Sequence, residues 1–276
     1  MQRFFAVAAL LALLPLLVVV PGHGAELLPV PEGIPALRTA RGMDAVIAAL
    51  LDVPYRDDGA IDEKGRFTLF ANQEKFFASP GLNCSGFVLE ASRFLFRRNV
   101  TLAEAVHKRF GDSGSSAGPG AALGEDWDFG WNLVLNISEG LSRAMLLPGG
   151  ESVDPATLDG LAAQGFDLHA ASTWEELPGR IRPDCLYLVS FNRESRRKNY
   201  KLQHYHVALL HRAADGSLRI TQATSQRRRV YQRNLSAKDG LAHFLQSFAN
   251  FGNIRKKIAV VEVRLNLRQR EATGVN

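Results

Sequence analysis

The sequence predicts an α+β fold in which helices come first and a run of antiparallel strands follows. Helical periodicity dominates before residue 185, whereas strand-like segments occupy most of the chain after it. Asp215 and Gly216 form a tight-turn dipeptide between two of these segments, which is typical of a β-hairpin. The 276 residues and 46% apolar content are those of a globular chain, and no internal repeat or clear linker divides it.

The predicted helices begin soon after the N-terminal segment. Apolar residues spaced i, i+3, i+4 and i+7 predict an amphipathic helix at 37–52, and an irregular segment follows at 53–83. A second apolar face predicts a helix at 84–97. Thr101 and Glu104 have the spacing of a capping box, which predicts a further helix ending near residue 110.

The region from about 98 to 180 is expected to be mostly helical. It contains a Gly/Ser-rich loop at 111–124 and a predicted helix near 133–147. An Asp-Pro pair at 154–155 predicts a short helix that begins with an N-cap and proline, and residues 173–176 repeat the capping-box spacing.

The predicted strands follow this region and are rich in β-branched and aromatic residues. They lie at residues 185–191, 205–211, 218–224, 229–232 and 258–265, with one helix predicted at 236–249.

The N-terminus has the three-part layout of a secretory signal peptide. A short positive start precedes an apolar run at residues 4–20 and a small-residue stretch at 21–25. An uncleaved anchor helix is the alternative, because the run is near the lower length limit for crossing a bilayer. We expect residues 1–25 to be removed and the rest to be secreted, into a bacterial periplasm, with no transmembrane segment.

Charge is distributed unevenly along the chain. Residues 1–184 hold 15 Lys and Arg against 23 Asp and Glu, whereas residues 185–276 hold 18 against 5. A basic C-terminal third suggests an anionic partner, such as an acidic substrate, nucleic acid or lipid headgroups, and a solvated basic face is the alternative. Of these partners, we do not expect nucleic acid.

Several kinds of chemistry lack support in the sequence. Two cysteines are too few for a disulfide framework or a four-cysteine zinc site. The chain has neither a GxxxxGK[ST] loop nor a GxGxxG loop after a strand-like run, so nucleotide chemistry is not expected. We expect no cofactor and no metal.

Cys84 is the main candidate for a catalytic residue. It begins a predicted helix, where the helix dipole and the free N–H groups favour a thiolate. Ser85 and Gly86 are small, so a substrate carbonyl can approach, and the Cys84 N–H can help to bind an oxyanion. A buried, inert cysteine is the alternative, and it is our interpretation of Cys185, which opens an apolar strand. We expect no disulfide between the two cysteines.

A thiolate nucleophile needs an imidazole beside it and a polar group that orients the imidazole. His204 and His206 share one face of a predicted strand if its side chains alternate, and His206 leads into a core run. Folding the hairpin about residues 215–216 pairs position 209 with position 222, within two or three residues. Gln222 is therefore expected beside His206, where its carbonyl can accept the imidazole N–H.

Five segments resemble motifs of the NlpC-type cell-wall peptidases, a family of the papain-like cysteine peptidases. NCSGFV resembles the nucleophile motif DCSGFV, and LDVPY resembles the LG-x-PY segment before it. PDCLYL, YHVALL and ITQATS resemble PGDLVFF, HVGIYL and FIHASS. In chain order these segments are residues 51–55, 83–88, 183–188, 205–210 and 220–225.

The resemblance implies a papain-like NlpC-type fold, with the nucleophile helix packed on an antiparallel sheet. It makes Cys84 the nucleophile, His206 the general base and Gln222 the orienting residue. Residues 26–276 would form a single peptidase domain with an insertion at about 98–180.

Four further residues are expected to contact the substrate. Tyr55 matches a tyrosine that lines the active-site groove of the family, and Asn83, Ser85 and His204 are placed near the nucleophile or the base.

The sequence departs from the family pattern at three places. Asn83 replaces the usual Asp, and Gln222 stands where His is commonest. The 98–180 region is longer than the family core needs, so it is a candidate lid, specificity element or partner surface.

The family resemblance implies hydrolysis of amide bonds in peptidoglycan stem peptides, whose carboxylates suit a basic site. Acyl transfer or deacylation on lipid substrates is the main alternative, and a noncatalytic binding protein is the third. Basic residues flank the strands that carry the candidate site, namely Arg193, Arg196, Arg197, Lys198 and Lys201 on one side and Arg227, Arg228 and Arg229 on the other.

Overall fold

The computed structural model describes residues 28–110, 128–194, 202–249 and 254–265. These ranges form a mixed α+β structure with antiparallel sheets, which confirms the predicted fold class. They contain six α-helices: α1 (Met43–Leu50), α2 (Cys84–Phe96), α3 (Leu102–Ala105), α4 (Phe129–Ile137), α5 (Ala171–Arg180) and α6 (Gly240–Ser247). Short 3₁₀ helices occur at Pro35–Arg38, Pro148–Gly150 and Pro155–Thr157.

Ten strands lie in the same ranges. They are β1 (Gly59–Ile61), β2 (Phe67–Leu69), β3 (Arg143–Leu146), β4 (Ser152–Val153), β5 (Phe166–Asp167), β6 (Cys185–Arg193), β7 (Gln203–Arg212), β8 (Leu218–Thr224), β9 (Arg229–Asn234) and β10 (Lys256–Arg264). β1 and β2 form a small hairpin inside the segment predicted to be irregular. The other eight form one antiparallel sheet in the order β4-β3-β10-β6-β7-β8-β9, with β5 paired to β10.

The two faces of the large sheet carry separate apolar cores. On one face, Phe87 of α2 and Trp131 of α4 are fully buried against β6 and β7. On the other face, Phe244 and Phe248, in and just after α6, pack on Phe191 of β6. Because β6 is central and covered on both faces, eight of its nine residues are buried.

Two of the first three predicted helices are shorter in the structure than the apolar pattern predicts. Helix α2 begins and ends almost where expected, at Cys84–Phe96. The predicted 37–52 helix is broken, because Gly42 adopts a φ of 85° between the 3₁₀ turn and α1. The capping box of Thr101 is present, but α3 ends at Ala105 instead of near residue 110.

The insertion predicted to be mostly helical, at 98–180, contains helices α3, α4 and α5, but three short strands that the sequence did not predict lie among them. The helix predicted near 133–147 ends at Ile137, because Gly140 adopts a φ of 68° and turns the chain. Residues Arg143–Leu146 then pair with β10, and β4 and β5 add further strands. The described part of this region therefore widens the sheet instead of standing apart as a helical unit.

The second predicted capping box, at 173–176, is also wrong. Helix α5 begins at Ala171, and the Thr173 hydroxyl donates to the carbonyl of Asp167. The Glu176 carboxylate accepts the backbone N–H groups of Gly149 and Gly150. The Glu176 side chain, which the pattern assigned to a local helix cap, therefore binds the distant Gly149–Gly150 backbone instead.

No helix in the described ranges is both long enough and apolar enough to cross a bilayer. The predicted signal peptide at 1–25 and the loop at 111–124 lie outside the described residues.

Candidate active site

The nucleophile candidate is the first residue of α2. Asn83 is the N-cap, and its Oδ1 accepts the backbone N–H of Gly86 at 2.8 Å. Cys84 is half-buried at the positive end of the helix dipole, where negative charge is stabilised. Asn83 thus caps the helix without adding a negative charge beside the thiol.

The first turn of α2 lies directly on the backbone of β1. The Asn83 N–H donates to the carbonyl of Gly59 at 3.0 Å. A Cβ at Gly86 would lie 2.2 Å from that same carbonyl oxygen, which is closer than real contacts allow. Only glycine permits this approach, so Gly86 fixes the depth at which the thiol is held.

His206 projects from β7 toward the face that carries Phe191. The register between β6 and β7 shifts by one residue opposite Tyr205, because Phe191 pairs with His206 and Asn192 pairs with His204. This β-bulge re-aims the side chains on either side of it. The ring centroids of His206 and Phe191 are 5.1 Å apart, and those of His206 and Phe248 are 5.8 Å apart.

The bulge removes His204 from the site, so the expectation that it shares a face with His206 is wrong. His204 is buried on the opposite face, where its Nε2 donates to the carbonyl of Gly160 at 2.7 Å. The Ser190 hydroxyl bonds to its Nδ1 at 2.9 Å. Burial lowers the pKa of His204 to about 4, so its ring is neutral at pH 7 and does not face the substrate.

Gln222 and His206 are brought together by the β7–β8 hairpin. Leu209 pairs with Thr221, one residue from the predicted register. The Nε2 of His206 donates to Oε1 of Gln222 at 2.6 Å, which leaves Nδ1 for the thiol. Gln222 is fully buried beneath the imidazole, as an orienting residue should be.

Tyr231 of β9 completes this chain of contacts, and sequence reasoning missed it. The Nε2 of Gln222 donates to the Tyr231 hydroxyl at 2.6 Å. An amide whose N–H is held in this way must present its oxygen to His206. Placing β9 beside β8 would have identified Tyr231 from the sequence, because Gln222 and Tyr231 are direct partners in that strand pair.

Cys84 and His206 lie close enough to perturb each other. Burial alone would raise the pKa of Cys84, but the His206 charge, hydrogen bonds from His206 and the Val207 N–H, and the Ser85 hydroxyl lower it to about 7. Burial opposes the imidazolium too, yet the Cys84 thiolate and Gln222 raise the pKa of His206. The arrangement therefore favours a thiolate–imidazolium pair near neutral pH.

A cleft of about 320 Å³ lies over this pair, with Cys84 and His206 in its wall. Tyr55 also lines it, held by its backbone N–H, which donates to the Arg228 carbonyl at 2.8 Å. Burial, followed by the Cys84 and Asp57 charges, raises the pKa of Tyr55 to about 12. Its hydroxyl therefore stays protonated at neutral pH.

Ser85 and Asn83 occupy different places from Tyr55. Ser85 is buried, with its Oγ 3.9 Å from the Cys84 sulfur, and Asn83 caps α2. Neither is among the residues that line the cleft. Both residues support the first turn of α2, which carries Cys84, and neither contacts the cleft directly.

Cys185 is a buried, free cysteine in β6, and Cys84 is free as well, so the structure has no disulfide between them. Burial raises the pKa of Cys185, which favours the inert thiol. Both features agree with its interpretation as a core residue.

The basic residues flanking the site have separate surroundings. Arg193 lines the cleft, whereas Arg229 pairs with Asp52 at 3.0 Å. The guanidinium of Arg227 lies 5.7 Å from the Tyr231 ring centroid. The predicted basic residues at 196–198 and 201 lie outside the described residues. Among those described, no three His, Cys, Asp or Glu side chains are grouped as a metal site.

Comparison with protein-family models, curated proteins and solved structures finds no match for the chain. The functional interpretation therefore depends on the site geometry and on the motif resemblance.

Proposed function

We propose that this chain is an exported cysteine peptidase with a papain-like, NlpC-type fold, which hydrolyses an amide bond in peptidoglycan stem peptides. The observation that supports it most is the contact series Cys84–His206–Gln222. A thiol at a helix N-terminus, a strand imidazole and a buried amide carbonyl are the parts that thiolate catalysis needs.

The acylation step follows from these positions. Cys84 attacks the scissile carbonyl as a thiolate, and the carbon–sulfur bond forms as the carbonyl π electrons move to oxygen. The Cys84 N–H in the first turn of α2 is our candidate donor to this oxyanion. His206, as imidazolium, then gives its proton to the leaving nitrogen, the C–N bond breaks, and a thioester remains on Cys84.

The deacylation step reverses the proton flow. Neutral His206 takes a proton from a water molecule, whose oxygen attacks the thioester carbonyl. The thiolate leaves, and the imidazolium is restored beside it. Throughout both steps Gln222 holds the imidazole with its Nδ1 toward the sulfur.

The substrate class is supported by the motif resemblance and by the signal-like N-terminus. Five segments in family order run from residue 51 to residue 225. A secreted bacterial enzyme meets peptidoglycan, and stem peptides carry carboxylates that suit a cleft containing Arg193 and Lys256.

The test is mass analysis of purified muropeptides after incubation with the mature protein. We expect a Cys84-dependent cleavage product that is absent with Cys84→Ala and nearly absent with His206→Ala. Cys185→Ala is the matched control, since it removes the other thiol and should leave cleavage intact. Intact muropeptides together with Cys84-dependent turnover of an acyl lipid would replace this proposal with acyl transfer. If neither substrate reacts and Cys84→Ala still supports the protein's cellular role, the chain is a binding protein.

A further inference from the structure

Two cations lie side by side in the wall of the candidate cleft. Arg193 ends β6 and Lys256 begins β10, and the two residues are direct register partners. Direct partners in an antiparallel pair point to the same face, with their Cβ atoms about 5 Å apart. Neither residue takes part in an ion pair in the described part of the chain.

These cations share the face of the general base. Arg193 lies two positions after Phe191, and Phe191 pairs directly with His206. One same-face step along a strand is about 7 Å. The two charges are therefore within the reach of a substituent on a residue next to the amide that Cys84 attacks.

The contacts of Lys256 keep its charge in place without neutralising it. Its Nζ donates to the carbonyls of Phe248 and Ala249 at 2.8 and 2.7 Å, and the side chain is 9% exposed. Burial lowers the pKa of Lys256, and the Arg193 charge lowers it further. The two carbonyls thus hold the Lys256 ammonium close to the positive charge of Arg193. An anion bound between the two side chains would relieve this repulsion.

Arg193 is also aimed by neutral partners. Its Nε and Nη2 both donate to Oε1 of Gln203, at 3.1 and 2.9 Å. Its guanidinium carbon lies 4.7 Å from the ring centroid of Tyr205, the bulge residue that also lines the cleft. The guanidinium is thereby fixed in direction while its charge stays unpaired.

We propose that Arg193 and Lys256 form an anion subsite that binds a free carboxylate of the substrate beside the scissile amide. The proposal deepens the proposed function and rests on it for the identity of the substrate. It predicts that the enzyme prefers stem peptides with a free carboxylate over the same peptides with that group amidated.

The first experiment requires no substrate. The alkylation rates of Cys84 by iodoacetate and by iodoacetamide are compared in a Cys185→Ala background, at low salt and near neutral pH. Because the reagents differ in charge, their rate ratio reports the cationic field at the thiol. Arg193→Gln should lower this ratio several-fold, up to roughly tenfold, and 0.5 M NaCl should produce a similar loss in the parent protein.

Matched variants separate a local subsite from general basicity and from misfolding. Arg229→Gln removes one positive charge from a residue that pairs with Asp52 and does not line the cleft, so the ratio should stay unchanged. Arg193→Lys keeps the charge and should restore most of the ratio. Equal loss with Arg229→Gln, or no loss with Arg193→Gln, would overturn the subsite.

The second experiment uses muropeptides that differ only in amidation of the carboxylate next to the cleaved bond. The parent enzyme should favour the free acid by roughly 10- to 100-fold in kcat/KM, and Arg193→Gln should bring that preference close to unity by slowing the free acid more than the amidated substrate. Equal turnover of both forms would overturn the subsite and leave the proposed function standing. Charge-dependent alkylation without muropeptide turnover would support the subsite and reject the proposed substrate.

Discussion

The imidazole of His206 and the amide of Gln222 are joined at 2.6 Å just beyond the point where their two strands stop pairing. The ladder between β7 and β8 ends at Leu209 and Thr221. Past that end, the Val207 N–H is one of the groups that lower the pKa of Cys84. The Cys84 thiol at the start of α2 therefore lies beside the His206 imidazole at the end of the regular β7–β8 hairpin.

Alkylation of Cys84 by iodoacetamide should follow a titration with a midpoint near pH 7, the lowered pKa of the thiol. His206→Ala removes the charge and hydrogen bond that oppose burial, so the midpoint should rise by more than about one unit. The measurement is the rate of alkylation against pH in a Cys185→Ala background. An unchanged midpoint in His206→Ala would show that the histidine does not set the thiolate population.

Tyr231→Phe should weaken the orientation of His206 while leaving the fold intact. Without the Tyr231 hydroxyl, the Gln222 N–H loses its acceptor and the amide is free to turn its NH₂ group toward the imidazole. We expect the alkylation midpoint to rise and any muropeptide turnover to fall by roughly tenfold.

Tyr205→Phe is the matched control for that prediction. Tyr205 lines the same cleft, but its buried hydroxyl has no hydrogen-bond partner in the described structure. Its removal should leave the alkylation profile unchanged and should raise the free energy of unfolding slightly, by less than about 1 kcal/mol. Similar profiles for the two tyrosine variants would remove Tyr231 from the site.

Gly86→Ala should destabilise the protein by about 1–3 kcal/mol, because the added methyl group meets the Gly59 carbonyl and pushes α2 from β1. Gly179→Ala is the comparison, since a Cβ there meets nothing within 4 Å and the position is helical. That variant should be unchanged or slightly more stable. Urea denaturation of both variants measures the difference, and equal stabilities would contradict the tight approach.

His204 should make stability depend on pH below neutrality. Its folded-state pKa is about 4, below the unfolded value of about 6.5, so the unfolded chain gains a proton first as the pH falls. The stability that the protein gains by keeping His204 neutral is fully present above about pH 6.5, and it is lost progressively as the pH falls below that value. Between pH 7.5 and 5.5 the loss should amount to roughly 1 kcal/mol of unfolding free energy.

Urea denaturation at the two pH values tests this, with His204→Gln as the comparison. The glutamine variant should have a lower stability overall but a smaller loss between pH 7.5 and pH 5.5. A variant with the same loss as the parent would assign the pH dependence to other groups, such as buried His211, whose pKa is lowered chiefly by burial.

The strands and the nucleophile helix were predictable because their signals are local. Residues 218–224 were predicted as a strand and form β8, and the Asp215-Gly216 turn fixed its register to within one residue. The fit of Gln222 beside His206 followed from that turn alone. The turn residues were therefore enough to predict that Gln222 and His206 are neighbours in the candidate site.

The parts that failed depend on contacts distant in sequence. Polar and apolar residues alternate from His204 through Tyr205 and His206 to Val207, so nothing local marks the bulge that separates His204 from His206. The four residues of β3 form a strand because they pair with β10, which lies more than a hundred residues further along the chain. Arg193 and Lys256 become neighbours for the same reason.

The position of β10 has a consequence for how the protein is made. It is the last described strand in the chain, yet it lies inside the sheet, between β3 and β6. A ribosome has therefore added every residue of the candidate triad before Lys256–Arg264 emerges to join the two halves of the sheet. Long-range pairing of this kind forms late and slowly. The lowered pKa of the Cys84 thiol is consequently acquired only after Lys256–Arg264 has joined the sheet, so a chain still lacking β10 carries an ordinary cysteine at this position.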